Sequence, residues 1–254
     1  MAQQYETGHA KNVARLLELN QLIATFGITY NPNNASITAG AFSTLHNTTN
    51  AILINVSTVL NTWKDDTNDR EIGFAPLKEL STNLRAALES TNATKQTIND
   101  FSFFVRKIRD SKIKSIKKDE ENLVLPPIPE EIIKTVSTSQ KSFDSVLQHF
   151  SKMILILWGV PSYNPNEVQF QLATLQAQLI TLTNLNNTAN TSRANLTAAR
   201  IERNLTFYAE NTGMLDLVKK CKAYIKSIYG STSQQYKAAT AIKFVRVVSR
   251  KKAK

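Results

Sequence analysis

The chain has 254 residues, a net charge of +11 and 42% hydrophobic residues, enough for one large core or two medium ones. Glycine and proline number seven each, which argues against a turn-rich all-β chain and suits long helices. A single cysteine excludes an internal disulfide, and Met1 to Val13 lack an apolar signal segment, so a cytoplasmic protein is expected.

Val13, Leu16, Leu17, Asn20 and Ile23 recur at helical spacing and predict an amphipathic helix over residues 8–26. Gly27 and Tyr30-Asn31-Pro32-Asn33 stop it. Asn33 or Asn34 is placed to cap the next helix by accepting a free backbone N–H. That helix is expected over 36–70, because Ile37, Phe42, Leu45, Thr49, Ile52, Val56, Val59 and Trp63 recur every three to five residues with no proline before Pro76. At ~1.5 Å per residue it runs roughly 50 Å. Asparagine and threonine are abundant in it and lower its intrinsic propensity, so tertiary packing must hold it. Gly73 and Pro76 predict a kink or break. Two shorter helices follow, over 76–89 (Leu77, Leu80, Leu84, Leu88) and 94–109 (Ile98, Phe101, Val105, Ile108).

Residues 110–136 pass from Lys112, Lys114, Lys117 and Lys118 to Asp119, Glu120 and Glu121, then to Pro126, Pro127 and Pro129. Charge runs followed by clustered prolines predict an exposed, semi-extended linker. Beyond it the plan starts again. Phe143, Val146, Leu147, Phe150 and Ile154 mark a first helix. Phe170, Leu172, Leu175, Leu179, Leu182, Leu185, Ala189 and Leu196 mark a long one, expected over 167–203. Met214, Leu217, Val218, Cys221, Ile225 and Ile228 mark a third, ended by Gly230. Residues 234–241 read as a fourth helix, and the β-branched stretch 242–248 as an extended tail.

This second plan repeats the first in sequence as well as in outline. Tyr30-Asn31-Pro32-Asn33 returns as Tyr163-Asn164-Pro165-Asn166, a shift of 133 residues (30 to 163). The same shift carries Asp69-Arg70 onto Glu202-Arg203 and Phe74 onto Phe207. Phe104-Val105-Arg106 returns as Phe244-Val245-Arg246 after 140 residues (104 to 244), so about seven residues were gained in between. Such repetition predicts an all-α fold of two tandem, pseudo-symmetric helical bundles in an elongated molecule. Each bundle has one long helix. The expected divisions are repeat 1 over 1–109, the linker over 110–136, and repeat 2 with a basic tail over 137–254.

The charge follows the duplication. Residues 106–118 and 243–254 each carry a net +6, and the rest of the chain is close to neutral. Lys112, Lys114, Lys117, Lys118, Arg246, Arg250, Lys251, Lys252 and Lys254 are therefore candidates for binding phosphates on a nucleic acid or anionic surface. Neighbouring Phe101, Phe103, Phe104 and Phe244 read as core residues rather than base-stacking platforms.

No catalytic constellation is visible. His9, His46 and His149 are scattered, the glycines are isolated, and no nucleophile elbow occurs, so neither a catalytic site nor a cofactor is expected. Asp65, Asp66, Asp69 and Glu71 are the nearest approach to a metal set, yet Ala198, Ala199, Glu202 and Asn204 take their place in the second copy. A solvated helix end is the expectation, with no metal. Cys221, among Val218, Tyr224 and Ile225, reads as a small buried apolar residue. Arg70 and Arg203 are expected to satisfy carbonyls at the ends of the long helices, with Phe74 and Phe207 turning the chain into the core. Tyr30, Pro32, Tyr163 and Pro165 are the other repeated structural residues. The run Met153 to Val160 is apolar on all sides but far shorter than the ~20 residues of a membrane span. It reads first as a helix buried between the halves, and otherwise as a self-association or lipid-facing patch.

Glu6-Thr7-Gly8-His9-Ala10-Lys11-Asn12-Val13, the two Tyr-Asn-Pro-Asn turns, Asp69-Arg70-Glu71, and Ser231 to Tyr236 ahead of Phe244-Val245-Arg246 carry a resemblance. The chain resembles a group of uncharacterised bacterial proteins with a duplicated helical body, over nearly its whole length apart from the linker. That resemblance implies a bacterial origin and the boundaries given above, and it implies no activity. The function expected from the sequence is that of a non-enzymatic structural or interaction protein that binds a protein partner or itself. A helical membrane-active or pore-forming protein and a non-specific polyanion binder are the alternatives.

Overall fold

The computed structural model describes residues 3–111 and 141–247. The described residues are helical, with short 3-10 turns and no strand. In chain order the helices are α1 (Gln3–Ala24), α2 (Ala39–Phe74), α3 (Leu77–Glu89), α4 (Lys95–Arg109), α5 (Phe143–Trp158), α6 (Leu172–Tyr208), α7 (Met214–Tyr229) and α8 (Gln234–Ala241). The all-α expectation holds.

Local chemistry sets the boundaries. Asn34 accepts the Ser36 N–H at 3.0 Å, but what it caps is the 3-10 turn Ala35–Ile37. The long helix starts one step later, where the Thr38 hydroxyl accepts the Ala41 N–H at 3.2 Å. Gly73 does not break α2, which continues to Phe74 and stops before Pro76. Helix α6 likewise starts and ends five residues later than expected, because Val168–Phe170 forms a 3-10 turn first. Thr94, Ser142 and Ser233 cap α4, α5 and α8 through their hydroxyls. Gly230, at φ +83°, ends α7 in a conformation that costs glycine nothing.

Threonine hydroxyls in the long helices bond back onto carbonyls of their own helix, which satisfies them while packing holds the helix. Thr49, Thr58 and Thr67 donate to Leu45, Ile54 and Trp63 in α2, and Thr181, Thr183 and Thr206 do the same in α6.

The described chain forms two compact units. One comprises residues 3–61 and 195–247, the other residues 62–111 and 141–194. This differs from the expected self-contained bundles over 1–109 and 137–254. Each unit takes residues from both halves of the sequence, and both divisions fall inside the long helices. The linker expected over 110–136 lies outside the described residues apart from Asp110 and Ser111.

In the first unit, Val13, Leu16, Leu19 and Ile23 of α1 are buried with Ile37, Phe42, Phe207 and the α7 face of Met214, Val218, Cys221 and Ile225. In the second, Leu77, Leu84 and Leu88 of α3 meet Phe101, Val105 and Ile108 of α4, and Val146, Phe150, Met153 and Leu157 of α5. Each such side chain gains about 1.5–3 kcal/mol from burial. The physical reason for the interleaving is visible at two rings. Phe74, from the first half of the sequence, meets Phe143 edge-on at 4.8 Å, and Phe207, from the second half, meets His9 edge-on at 5.2 Å. The end of each long helix is buried against the opening helix of the other half.

One detail recurs at matched positions. Tyr30 donates its hydroxyl to the Ile37 carbonyl at 2.6 Å, and Tyr163 donates to the Phe170 carbonyl at 2.8 Å. Both pairs are seven residues apart, and both members shift by 133 (30 to 163, 37 to 170). Burial pushes the Tyr163 hydroxyl up to about 12, and raises that of Tyr30 too, so both remain donors.

Candidate functional site

The most constructed polar arrangement lies in the first unit, where an extended segment crosses helix α1. Residues 243–247 follow α8 and adopt no helix, which agrees with the extended tail expected there. The Asn12 side chain is fully buried and grips Val245 from both sides. Its amide donates to the Val245 carbonyl at 2.7 Å, and its oxygen accepts the Val245 N–H at 3.1 Å. This is the pairing a neighbouring strand would offer, supplied here by one side chain. The Val247 N–H donates to the Tyr208 hydroxyl at 3.2 Å.

Space and charge complete the grip. Gly8 stands one turn before Asn12, and a Cβ there would lie 2.8 Å from a Val247 methyl, so the segment passes close over it. The Arg246 guanidinium sits 5.2 Å over the Tyr208 ring, and the Lys222 ammonium 5.4 Å over Phe244. Lys222 also donates to the Ile242 carbonyl at 2.5 Å, and burial lowers its pKa. Beside the segment is a cavity of ≈ 570 Å³ whose lining includes Tyr208, Glu210, Phe244, Arg246 and the ion pair of Asp216 with Lys219. Sequence reading quoted Gly8 to Val13 and Phe244 to Arg246 as separate motifs, and the structure brings them together. It missed Asn12 and Tyr208 as the gripping side chains. Nothing in a linear pattern signals a bond between residues 233 apart.

A second polar cluster surrounds Arg70 in the other unit. Its guanidinium lies 4.2 Å over the Phe143 ring and donates to the Asn186 side-chain oxygen at 3.3 Å. Asn186, buried, donates onward to Asp144 at 2.7 Å. Burial lowers the Arg70 pKa, against the pull of Glu71 and Asp144. The expected partners were helix-end carbonyls. The observed ones are a ring and an amide, because Arg70 is a full turn before the end of α2. Arg203, also buried, donates to Asn204 at 3.0 Å. Phe74 and Phe207 are fully buried, as expected of chain-turning aromatics.

The apolar run 153–160 divides between core and surface. Met153, Ile154 and Leu157 are buried, whereas Leu155 is 57% exposed and Trp158 71% exposed. The expectation of a wholly buried helix is corrected: α5 is helical with one apolar face in the core and a second one outside. Phe103 is also exposed, contrary to its expected core role, and carries the Lys107 ammonium at 5.3 Å. Cys221 is buried as expected. Its sulfur lies 3.3 Å from the Tyr30 hydroxyl oxygen, and burial raises the thiol to about 11, which makes it unreactive.

Of the candidate phosphate-binding residues, Arg246 is described, and it is exposed. Lys112, Lys114, Lys117, Lys118, Arg250, Lys251, Lys252 and Lys254 lie outside the described residues. Asp65 and Asp69 are exposed on α2, and among the described residues no three His, Cys, Asp or Glu side chains converge as a ligand set. Among the described residues no helix is long and apolar enough to cross a membrane. No protein-family model matches the chain, and no curated protein or solved structure matches it.

Proposed function

We propose that this chain is a non-enzymatic interaction protein, built from a duplicated helical unit, that associates with copies of itself. The observation that carries the reading is the exposed pair Leu155 and Trp158, one turn apart on α5. An exposed tryptophan beside an exposed leucine is the composition of an interface anchor. The core contacts of α5 are made by Val146, Phe150, Met153, Ile154 and Leu157, so the exposed pair lies outside that core. The bonds of Tyr30 and Tyr163 at matched positions support the duplication.

Sedimentation velocity over a concentration series tests it, read together with tryptophan fluorescence. The two tryptophans are Trp63, buried, and Trp158, exposed, so a blue shift with concentration reports Trp158. Leu155→Ser with Trp158→Ser weakens association and leaves the helical content unchanged. A wild-type chain that stays monomeric, with an emission maximum independent of concentration, sinks the proposal.

The same pair supports a second reading, a membrane-active protein, because tryptophan and leucine together also favour a lipid interface. Leakage of dye from anionic vesicles, lost in the Leu155→Ser, Trp158→Ser variant, is its signature. Vesicles that stay sealed at concentrations where the chain self-associates rule it out.

A further inference from the structure

We propose that residues 243–247 are an exchangeable strap, and that the groove holding them, floored by Gly8 and Asn12 of α1 and walled by Tyr208, takes the same segment from a second copy. The inference rests on the self-association reading, and it names a segment and a groove through which two copies join.

The grip is addressed to backbone. Asn12 bonds the N–H and the carbonyl of Val245, and Tyr208 bonds the N–H of Val247. Any extended chain of suitable side chains meets those groups equally well, whether it arrives from the same molecule or another. Of the strap, only Phe244 packs against the hydrophobic core, and it is half-buried. Val245 is 58% exposed, and Arg246 is exposed over Tyr208. Removing it uncovers a fully buried amide that has no other described bond, so an empty groove calls for an equivalent occupant.

The occupant is specified by shape and charge. At the position over Gly8 the strap places a branched side chain that a Cβ on residue 8 would crowd to 2.8 Å. Glu210, Asp216 and Lys219 line the cavity beside Arg246; Asp216 is paired with Lys219 at 2.8 Å, so Glu210 is the carboxylate that faces a basic segment. The strap itself is the first part of a run with six Lys/Arg and no acid. A second copy supplies all three features in one stretch. Within one molecule the strap competes at an effective concentration of ~mM, so exchange follows release of the strap or high protein concentration.

Two single variants of the full chain test this. The Gly8 Cβ position lies 3.8 Å from the Val247 Cβ, which is the separation a disulfide requires. On a Cys221→Ala background, Gly8→Cys in one chain and Val247→Cys in another cannot close within a molecule. Mixed, unfolded, refolded together and oxidised, they form a covalent dimer on a non-reducing gel, beyond what either chain forms alone. Adding Asn12→Leu to the Gly8→Cys chain abolishes that dimer, and adding it to the Val247→Cys chain does not. A second measurement avoids position 8. Val245→Pro removes the N–H that Asn12 accepts, so the strap is released, and the full-length variant binds a fluorescent peptide of residues 242–254 that the wild-type chain excludes. No excess dimer and no peptide binding, with a wild-type chain that self-associates in sedimentation, overturns the strap and leaves association through another surface. The same negative results with a monomeric wild type overturn both. A scrambled peptide that binds as tightly makes charge alone the cause, and also overturns the inference.

Discussion

His149 makes the stability of its unit depend on pH in a direction that is fixed by its surroundings. It sits on α5, 6% exposed, and neither ring nitrogen has a hydrogen-bond partner. Its ring lies 5.8 Å from that of Phe104, with the Lys152 ammonium over the same phenylalanine at 5.6 Å. Burial lowers the His149 pKa below its ordinary 6.5, and the cations Lys152 and Lys107 lower it further. Above 6.5 the imidazole is neutral in folded and unfolded chains, and pH has no leverage through it. As pH falls below 6.5 the unfolded chain takes up a proton that the folded chain refuses. Stability is therefore lost with acidification, at a slope of at most ~1.4 kcal/mol per pH unit, until the folded pKa is passed. His149→Leu removes both the slope and the unpaired ring nitrogens, and stabilises the unit by about 1–3 kcal/mol at neutral pH. Urea titrations read by tryptophan fluorescence suit the assay, because Trp63 and Trp158 both belong to this unit. Carboxylates titrate in both proteins, so the difference between wild type and variant between about pH 8 and about pH 5 isolates the histidine. Parallel pH profiles for the two proteins, or a variant less stable at neutral pH, refute the reasoning.

Tyr163→Phe leaves the Phe170 carbonyl without its donor and costs about 1–3 kcal/mol in urea. It also lessens the alkaline loss of stability between pH 10, where the unfolded hydroxyl ionises, and about 12, where the folded one does. Tyr30→Phe costs a similar amount in the other unit, and circular dichroism must report it because that unit has no tryptophan. Gly213→Ala places a Cβ 2.5 Å from the Ala209 backbone nitrogen and costs about 3 kcal/mol, whereas Gly73→Ala meets only a Leu185 methyl and costs about 1 kcal/mol. Melting temperatures rank the two, and the reverse order counts against a backbone clash. Deleting Arg250 to Lys254 removes four positive charges without touching the described core. Any binding to duplex DNA weakens uniformly across sequences and loses part of its salt dependence, in which each neutralised phosphate contributes ~0.9 log unit per log unit of salt. Equal binding after the deletion shows the tail to be solvated only.

Much of the helical plan was legible because its signals are local. Leu77, Leu80, Leu84 and Leu88 fix α3 by spacing alone, and Gly230 ends α7 where a left-handed residue is needed. The starts of the long helices were misread for an equally local reason. The cap at Asn34 is real, but a 3-10 turn intervenes before Thr38 takes over, and hydrophobic spacing does not distinguish the two kinds of turn. Exposure was less legible than helicity. Leu155 and Trp158 belong to a run that is apolar on every side, so periodicity gives no hint which face meets the core.

The division into units was not legible at all, and the reason is a symmetry of the pattern itself. A shift of 133 residues pairs Phe74 with Phe207, and it says that both need a buried aromatic site. It says nothing of which copy supplies that site. Phe74 packed on its own opening helix and Phe74 packed on Phe143 leave the same trace in the sequence. In the fold it is Phe143 that Phe74 meets, and His9 that Phe207 meets. The two arrangements differ only in long-range pairing, to which hydrophobic spacing is blind. The strap obeys the same logic one level down. Asn12 and Val245 are 233 residues apart, and their bond is written in backbone groups that every residue except proline possesses. A sequence motif can mark each end of such a contact. Whether the two ends belong to one molecule or to two is decided by chain entropy and concentration, which no pattern of side chains records.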